Sequence, residues 1–165
     1  MRRSLAFALV LPAVALAFTG CTDGRKISTP PACLTAASSW VTALADAPDE
    51  VLLDGNTQIS TCLPKDQSVA QHEEVGKTAV TAATQLSAFY KSGKVGGKVS
   101  SSARQAALMA GYLVGAVSKG AASTEGIHQT LVDRVEAAAT NGLDGAGQEL
   151  QGEYQRGHEA GLKNG

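Results

Sequence analysis

Aromatic side chains are scarce in this chain. One Trp, three Tyr and three Phe make up 4% of 165 residues. So few rings cannot wall an aromatic pocket and also build a core, so small-residue helix packing is the expected alternative. Charge of either sign is equally scarce: 14 Lys and Arg stand against 15 Asp and Glu. No basic field exists to hold a polyphosphate backbone, and nucleic acid is excluded as the expected partner. No apolar run reaches the ~20 residues that span a bilayer as a helix.

The familiar chemical motifs are missing as well. Gly76-Lys77-Thr78 ends like a phosphate-binding loop, but position 71, where the first glycine belongs, is Gln. The segment also reads as helix interior, where the backbone amides are already used. His72-Glu73 opens like a zinc-protease helix, but the second histidine would fall at Gly76. His128 and His158 belong to other predicted helices, and no ligand spacing joins the three. Cysteines 33 and 62 lack the CxxC spacing of a redox site. No Gly-x-Ser-x-Gly elbow occurs. No catalytic residue, metal ligand or cofactor is therefore assigned, and the enzyme reading rests on no positive feature.

What is present begins at the N-terminus. Arg2 and Arg3 precede an apolar stretch, Leu5 to Phe18, that contains Pro12 and has the length of a signal-peptide core. Phe18-Thr19-Gly20-Cys21 follows. This ending resembles the lipobox of bacterial lipoproteins, with Phe18 in place of the usual leucine. The resemblance implies cleavage before Cys21, a diacylglycerol on its thiol and an extracytoplasmic, membrane-anchored chain. An ordinary cleaved signal peptide and an uncleaved signal anchor are the alternatives; Ser4-Leu5-Ala6 fits a twin-arginine signal poorly. The organisation expected is a signal over residues 1–20, a lipidated tether over 21–31 ending in Pro30-Pro31, and one domain over 32–165. Of the 14 basic side chains, two leave with the signal, so 12 face 15 acidic ones, a formal balance of −3.

Three cysteines occur. With Cys21 acylated, Cys33 and Cys62 form the one pair available in an oxidising compartment. A bond between them would stabilise the fold by ~3–4 kcal/mol in the chain-entropy picture; two buried free thiols are the alternative.

The periodicity predicts an all-α bundle of four or five helices. Helix one starts after Pro30-Pro31 and runs to about Ala45, with Cys33, Leu34, Ala37, Trp40, Val41 and Leu44 on one face. Residues 46–64 break the period; Asp54-Gly55-Asn56 marks a turn, so 51–60 form a hairpin or a loop. Helix two starts at a Ser68/Gln71 capping box and carries Val69, His72, Val75, Ala79, Ala82, Leu86 and Phe89. A basic loop covers 92–99. Helix three, from Ser102 to about Lys119, is apolar nearly all round and should be central. Ala103, Ala107, Gly111 and Gly115 form a smooth stripe on it. That stripe suits close packing on helix two or four, or self-association. Helix four carries Ile127, Leu131, Val135 and Ala138. Helix five, about Gly145 to Leu162, holds Gly147, Gly152, Gly157 and Gly161, each costing ~1 kcal/mol relative to Ala, and should fray at its end.

Gly111-Tyr-Leu-Val-Gly-Ala-Val117 with Gly126-Ile127-His128 resembles segments of secreted actinobacterial proteins that have no assigned function. The resemblance carries no activity. The reading that composition and signal jointly favour is a noncatalytic, lipid-anchored envelope module that binds a protein or envelope component. The alternatives are a small-ligand carrier with a cavity near Trp40, Phe89, Tyr90 and Tyr112, and an enzyme with a dispersed site.

Overall fold

A computed structural model of the chain describes residues 28–95 and 98–165. The signal segment and Cys21 lie outside the described residues. Five α-helices form the bundle: α1 (Ala37–Ala43), α2 (Val69–Ser92), α3 (Ser101–Ala122), α4 (Gln129–Thr140) and α5 (Gln148–Asn164). Two short antiparallel hairpins complete it. Strand β1 (Leu52–Leu53) pairs with β2 (Thr57–Gln58), and β3 (Lys94–Val95) pairs with β4 (Lys98–Val99). The all-α bundle, with a disulfide-fastened segment after its first helix, is the architecture the periodicity predicts.

Helix α3 is the centre. Every residue from Ala106 to Val117 is buried, as its all-round apolar pattern requires. It is opened by Ser100, whose hydroxyl accepts the Ala103 amide at 3.1 Å. Its closest and most extensive partner is α5, not α2 or α4 as its small-residue stripe suggests. Gly111 and Gly115 face the backbone of α5 at Tyr154 and His158. Gly157 and Gly161 of α5 face the backbone of α3 at Leu108 and Tyr112. A methyl group on any of the four would collide with a carbonyl oxygen. The glycines that lower the intrinsic helix propensity of α5 are thus the residues that let two helix backbones touch. Helix α5 does not fray: Leu150, Tyr154, Gly157 and Gly161 are buried, and the Gly165 amide still bonds the Gly161 carbonyl at 2.9 Å.

The first helix is shorter than its pattern predicts. Pro31–Leu34 form a 3-10 turn, Ala36 is extended, and α1 begins only at Ala37. The Thr35 hydroxyl donates to the Ala32 carbonyl at 2.8 Å, a local bond that competes with helix continuation. The break puts Cys33 and Trp40 into the core while Leu34 stays 37% exposed. Cys33 bonds Cys62 with Cα atoms 5.4 Å apart.

The segment after α1 is a hairpin. Its turn uses positive φ at Asp54 (50°) and Gly55 (75°), the mirror-image geometry that matches strand twist. Val51, Leu53 and Ile59 are fully or almost fully buried. The Val51 amide donates to the Tyr112 hydroxyl at 3.1 Å, and the Ser60 hydroxyl donates to the Gly165 carbonyl at 2.8 Å. This segment is therefore part of the core, held by α3 and the end of α5 as well as by the disulfide.

Helix α2 begins with the capping box. The Gln71 amide donates to the Ser68 hydroxyl at 3.3 Å, and the Ser68 amide to the Gln71 side-chain oxygen at 3.4 Å. Its buried stripe is Val75, Ala79, Ala82, Ala83, Leu86 and Tyr90. Val69 and Phe89, read as members of that stripe, are 84% and 55% exposed. Ile127, placed on the inner face of helix four by its pattern, precedes α4 and is 56% exposed.

Two substitutions on α5 separate close approach from propensity. Gly157→Ala gains helix propensity but drives a methyl group into the Leu108 carbonyl. Overpacking of that kind costs ~1–3 kcal/mol, so the variant should be destabilised in urea unfolding. Gly152→Ala meets nothing within 4 Å and should stabilise by ~0.5–1 kcal/mol. Equal shifts in both variants would contradict backbone-to-backbone packing.

The disulfide is tested in the same assay. Cys33→Ser should cost ~3 kcal/mol, and the Cys33→Ser/Cys62→Ser double variant should cost no more, because either change removes one bond.

Candidate functional site

Two regions of the surface are candidates, one at each end of α2. The first is built where the segment after the disulfide meets the α3–α4 connection. The Gln67 amide nitrogen donates to the Cys62 carbonyl at 3.0 Å and to the Thr29 hydroxyl at 2.6 Å. The Pro64 carbonyl lies 3.4 Å from His128 Nε2. Lys65 pairs with Glu125 at 3.0 Å, across a turn in which Glu125 (φ 54°) and Gly126 (φ 84°) are left-handed. Both side chains of that pair are largely exposed, so it orders the turn more than it stabilises it.

His72 of α2 stacks on His128 with ring centroids 4.8 Å apart and planes inclined by 25°. One turn further in, Gly76 lets Leu131 approach α2, so the ring pair caps the α2–α4 contact. His128 is 2% exposed. Burial pushes its pKa below the usual histidine value; the Pro64 carbonyl opposes the shift and the charge of His72 adds to it. His72 Nε2, His128 Nδ1 and the Gln67 side-chain oxygen are buried without a protein hydrogen-bond partner.

The sequence separates these histidines and the structure brings two of them together. His158 is elsewhere, on α5, beside Tyr154 at 6.4 Å. Among the described residues no three His, Cys, Asp or Glu side chains meet in a ligand group. Near-parallel rings also direct their nitrogens side by side, whereas a metal needs donors that converge.

Beside the pair runs an open groove of about 490 Å³ between the Ser60–Asp66 segment and α3, reaching Lys119, Gly120 and Ser123. Three of its polar side chains are engaged internally, while the Asp66 carboxylate is exposed. The Lys119 ammonium donates to the Lys163 carbonyl at 3.0 Å, the Ser123 hydroxyl to the Gly120 carbonyl at 2.8 Å, and the Thr61 hydroxyl to the Gln58 carbonyl at 2.7 Å. No nucleophile with an adjacent base converges there.

The second region is an apolar groove of about 250 Å³ at the far end of α2. Val41, Leu86, Phe89, Ala106 and Met109 supply its walls, with Ser102 and Gln105 at the edge. Trp40, Tyr90 and Tyr112, three of the aromatics from which a ligand cavity was expected, line neither groove. They are packed into the core at 0–1% exposure. Burial raises the Tyr90 pKa to about 12 and that of Tyr154 further, so both phenols stay neutral at working pH. Phe89 alone of the four reaches a groove. Its place off the stripe follows from phase, since Leu86 and Tyr90 are four apart and Phe89 is turned ~100° from Tyr90. Met109 and Val41 carry no signal that distinguishes them from core residues.

Comparison with protein-family models, with curated proteins and with solved structures gives no match for this chain.

The His72–His128 pair makes a pH prediction. The folded-state pKa of His128 lies below its unfolded value of ~6.5, so folding favours the neutral ring. Its contribution to stability is complete above that value and is lost as pH falls below it toward the folded pKa. Melting temperatures of wild type and His128→Leu should therefore diverge at pH 7.5 and draw closer at pH 5.5. A constant difference across this range would show that the ring does not resist protonation.

Proposed function

We propose that the chain is a lipid-anchored, extracytoplasmic interaction module, held to the membrane through Cys21 and engaging an envelope protein through the apolar groove around Phe89. The anchor rests on the basic, apolar and lipobox-like order of residues 1–21. Interaction rather than catalysis is supported by one observation above the others. Three polar side chains of the larger groove are spent on backbone carbonyls, and the apolar groove at the far end of α2 is walled in part by a phenylalanine that remains 55% exposed. A large exposed apolar side chain over an apolar recess is the kind of feature that docking of a partner side chain would cover.

Carriage of a small apolar molecule is the second reading, and the same groove favours it. Its modest volume and open shape suit a side chain better than a ligand that must be largely enclosed.

Both parts are tested together in cells that incorporate a photocrosslinking residue at position 89. In the wild-type background the protein should take up labelled fatty acid, fractionate with membranes and give a discrete protein adduct on irradiation. A crosslinker at exposed Gly152 should give none. Cys21→Ser should lose the acyl label and leave the membrane or remain unprocessed. Retained acyl label would refute the anchor, and equal adducts from 89 and 152 would refute the groove.

A further inference from the structure

The described chain enters the bundle beside the start of α2. Thr29 is buried there, with its hydroxyl bonded to Gln67, two residues before Val69. Val69 is 84% exposed and Ile127 is 56% exposed. They belong to the same end of the molecule. Val69 lies just under one turn before His72, Ile127 adjoins His128, and the two rings stack at 4.8 Å. Isolated exposed apolar side chains are ordinary on protein surfaces. These two lie at the end of the molecule where the described chain begins, with Thr29 held by Gln67.

We propose that this end of the domain rests on the lipid bilayer, with Val69 and Ile127 entering its interfacial layer. The inference rests on lipid attachment at Cys21. Thr29 is eight positions after Cys21, and a chain of that length spans at most ~28 Å when fully extended. Phe89 lies twenty residues beyond Val69 on α2, ~30 Å away along the helix. A tether of that reach joins the described chain beside the Val69 end of α2, so that end is the one held nearest the lipid. The Val69 end stays at the headgroups, and the Phe89 groove is carried away from them.

The chemistry of this end selects the lipid. Asp66, Glu73, Glu74 and Glu125 are exposed around it, and Lys65 is paired with Glu125. Most charged side chains exposed on this end are acidic, and the contact proposed is therefore apolar, made by Val69 and Ile127. Two side chains do not hold a free domain on a vesicle. They act once the tether has raised the local lipid concentration.

The mature chain beginning at Cys21 offers a test that does not depend on cellular processing. Cys33 and Cys62 are bonded to each other, which leaves Cys21 as the free thiol. It can be coupled to a maleimide lipid in phosphatidylcholine vesicles with brominated acyl chains. Three variants, Val69→Trp, Ile127→Trp and Phe89→Trp, report position against the constant background of buried Trp40. Tryptophan at 69 and at 127 should lose emission to the bromines and shift to the blue; tryptophan at 89 should do neither. Added anionic lipid should not increase the loss. Absence of quenching at 69 and 127, or quenching at 89 as strong as at either, would overturn the proposal. Absence of an acyl group on Cys21 in cells would instead overturn the anchor, and the two failures are distinguishable because the vesicle anchor is chemical.

Discussion

The contact between the backbones of α3 and α5 is the constraint on which the bundle depends. Four glycines, two on each helix, leave no Cβ where the two backbones come closest. Closely apposed backbones bring many atoms into van der Waals range at once, and each such pair adds a small attraction that sums over the interface. This offsets the ~1 kcal/mol of helix propensity that each glycine forfeits. It also explains how a domain with so few aromatic rings closes its core: where large side chains are absent, the helices themselves come together.

The seam fixes what surrounds it. With α5 seated on one side, α3 is left to bury its remaining faces against α2, α4 and the hairpin segment. Tyr112 reaches from α3 to the Val51 amide, and Gly120 lets the Ser60 backbone approach. Ser60 in turn bonds Gly165 at the end of α5. The hairpin is thus clasped between both helices of the seam, and the disulfide closes its other edge. Its apolar residues, Val51, Leu53 and Ile59, are as buried as those of the helices.

Much of this was legible in the sequence where one local rule decides the outcome. The Ser68–Gln71 capping box marks the start of α2, and a run of apolar residues without a polar face marks α3 as central. The turn at Asp54-Gly55-Asn56 was legible, whereas the choice between hairpin and loop for residues 51–60 was not, because the strands that pair are only two residues each. Legibility failed where two rules compete. The glycines of α5 read as weak propensity because the partner backbone that reverses their meaning lies some 45 residues away. The Pro31–Ala43 stretch reads as one helix because the apolar period continues through Thr35, whose hydroxyl bond interrupts the backbone. Val69, Phe89 and Ile127 each sit near the edge of an apolar stripe, where periodicity cannot separate a core position from a surface one. The site was less legible than the fold. His72 and His128 are 56 residues apart, and only the packing of α2 on α4 places one ring upon the other.

The distribution of polar and apolar surface then separates the two ends of α2. At its first turn the polar groups are drawn inward: Gln67 holds Thr29 and the Cys62 carbonyl, buried His128 meets Pro64, and half-buried His72 stacks on it. Burying such groups costs several kcal/mol when they stand alone and far less when they are shared, so this end is built to hold a fixed geometry around the entering chain. At the last turns the requirement is reversed. Phe89 lies over Leu86, Ala106 and Met109 with its ring half in water, a placement that folding does not need, since Tyr90 already fills the core beside it. An apolar side chain that folding leaves 55% exposed keeps the burial energy of that exposed part for another molecule. An ordered end where the described chain begins and a half-exposed Phe89 at the other end are the two features that the proposed anchored binding module would use.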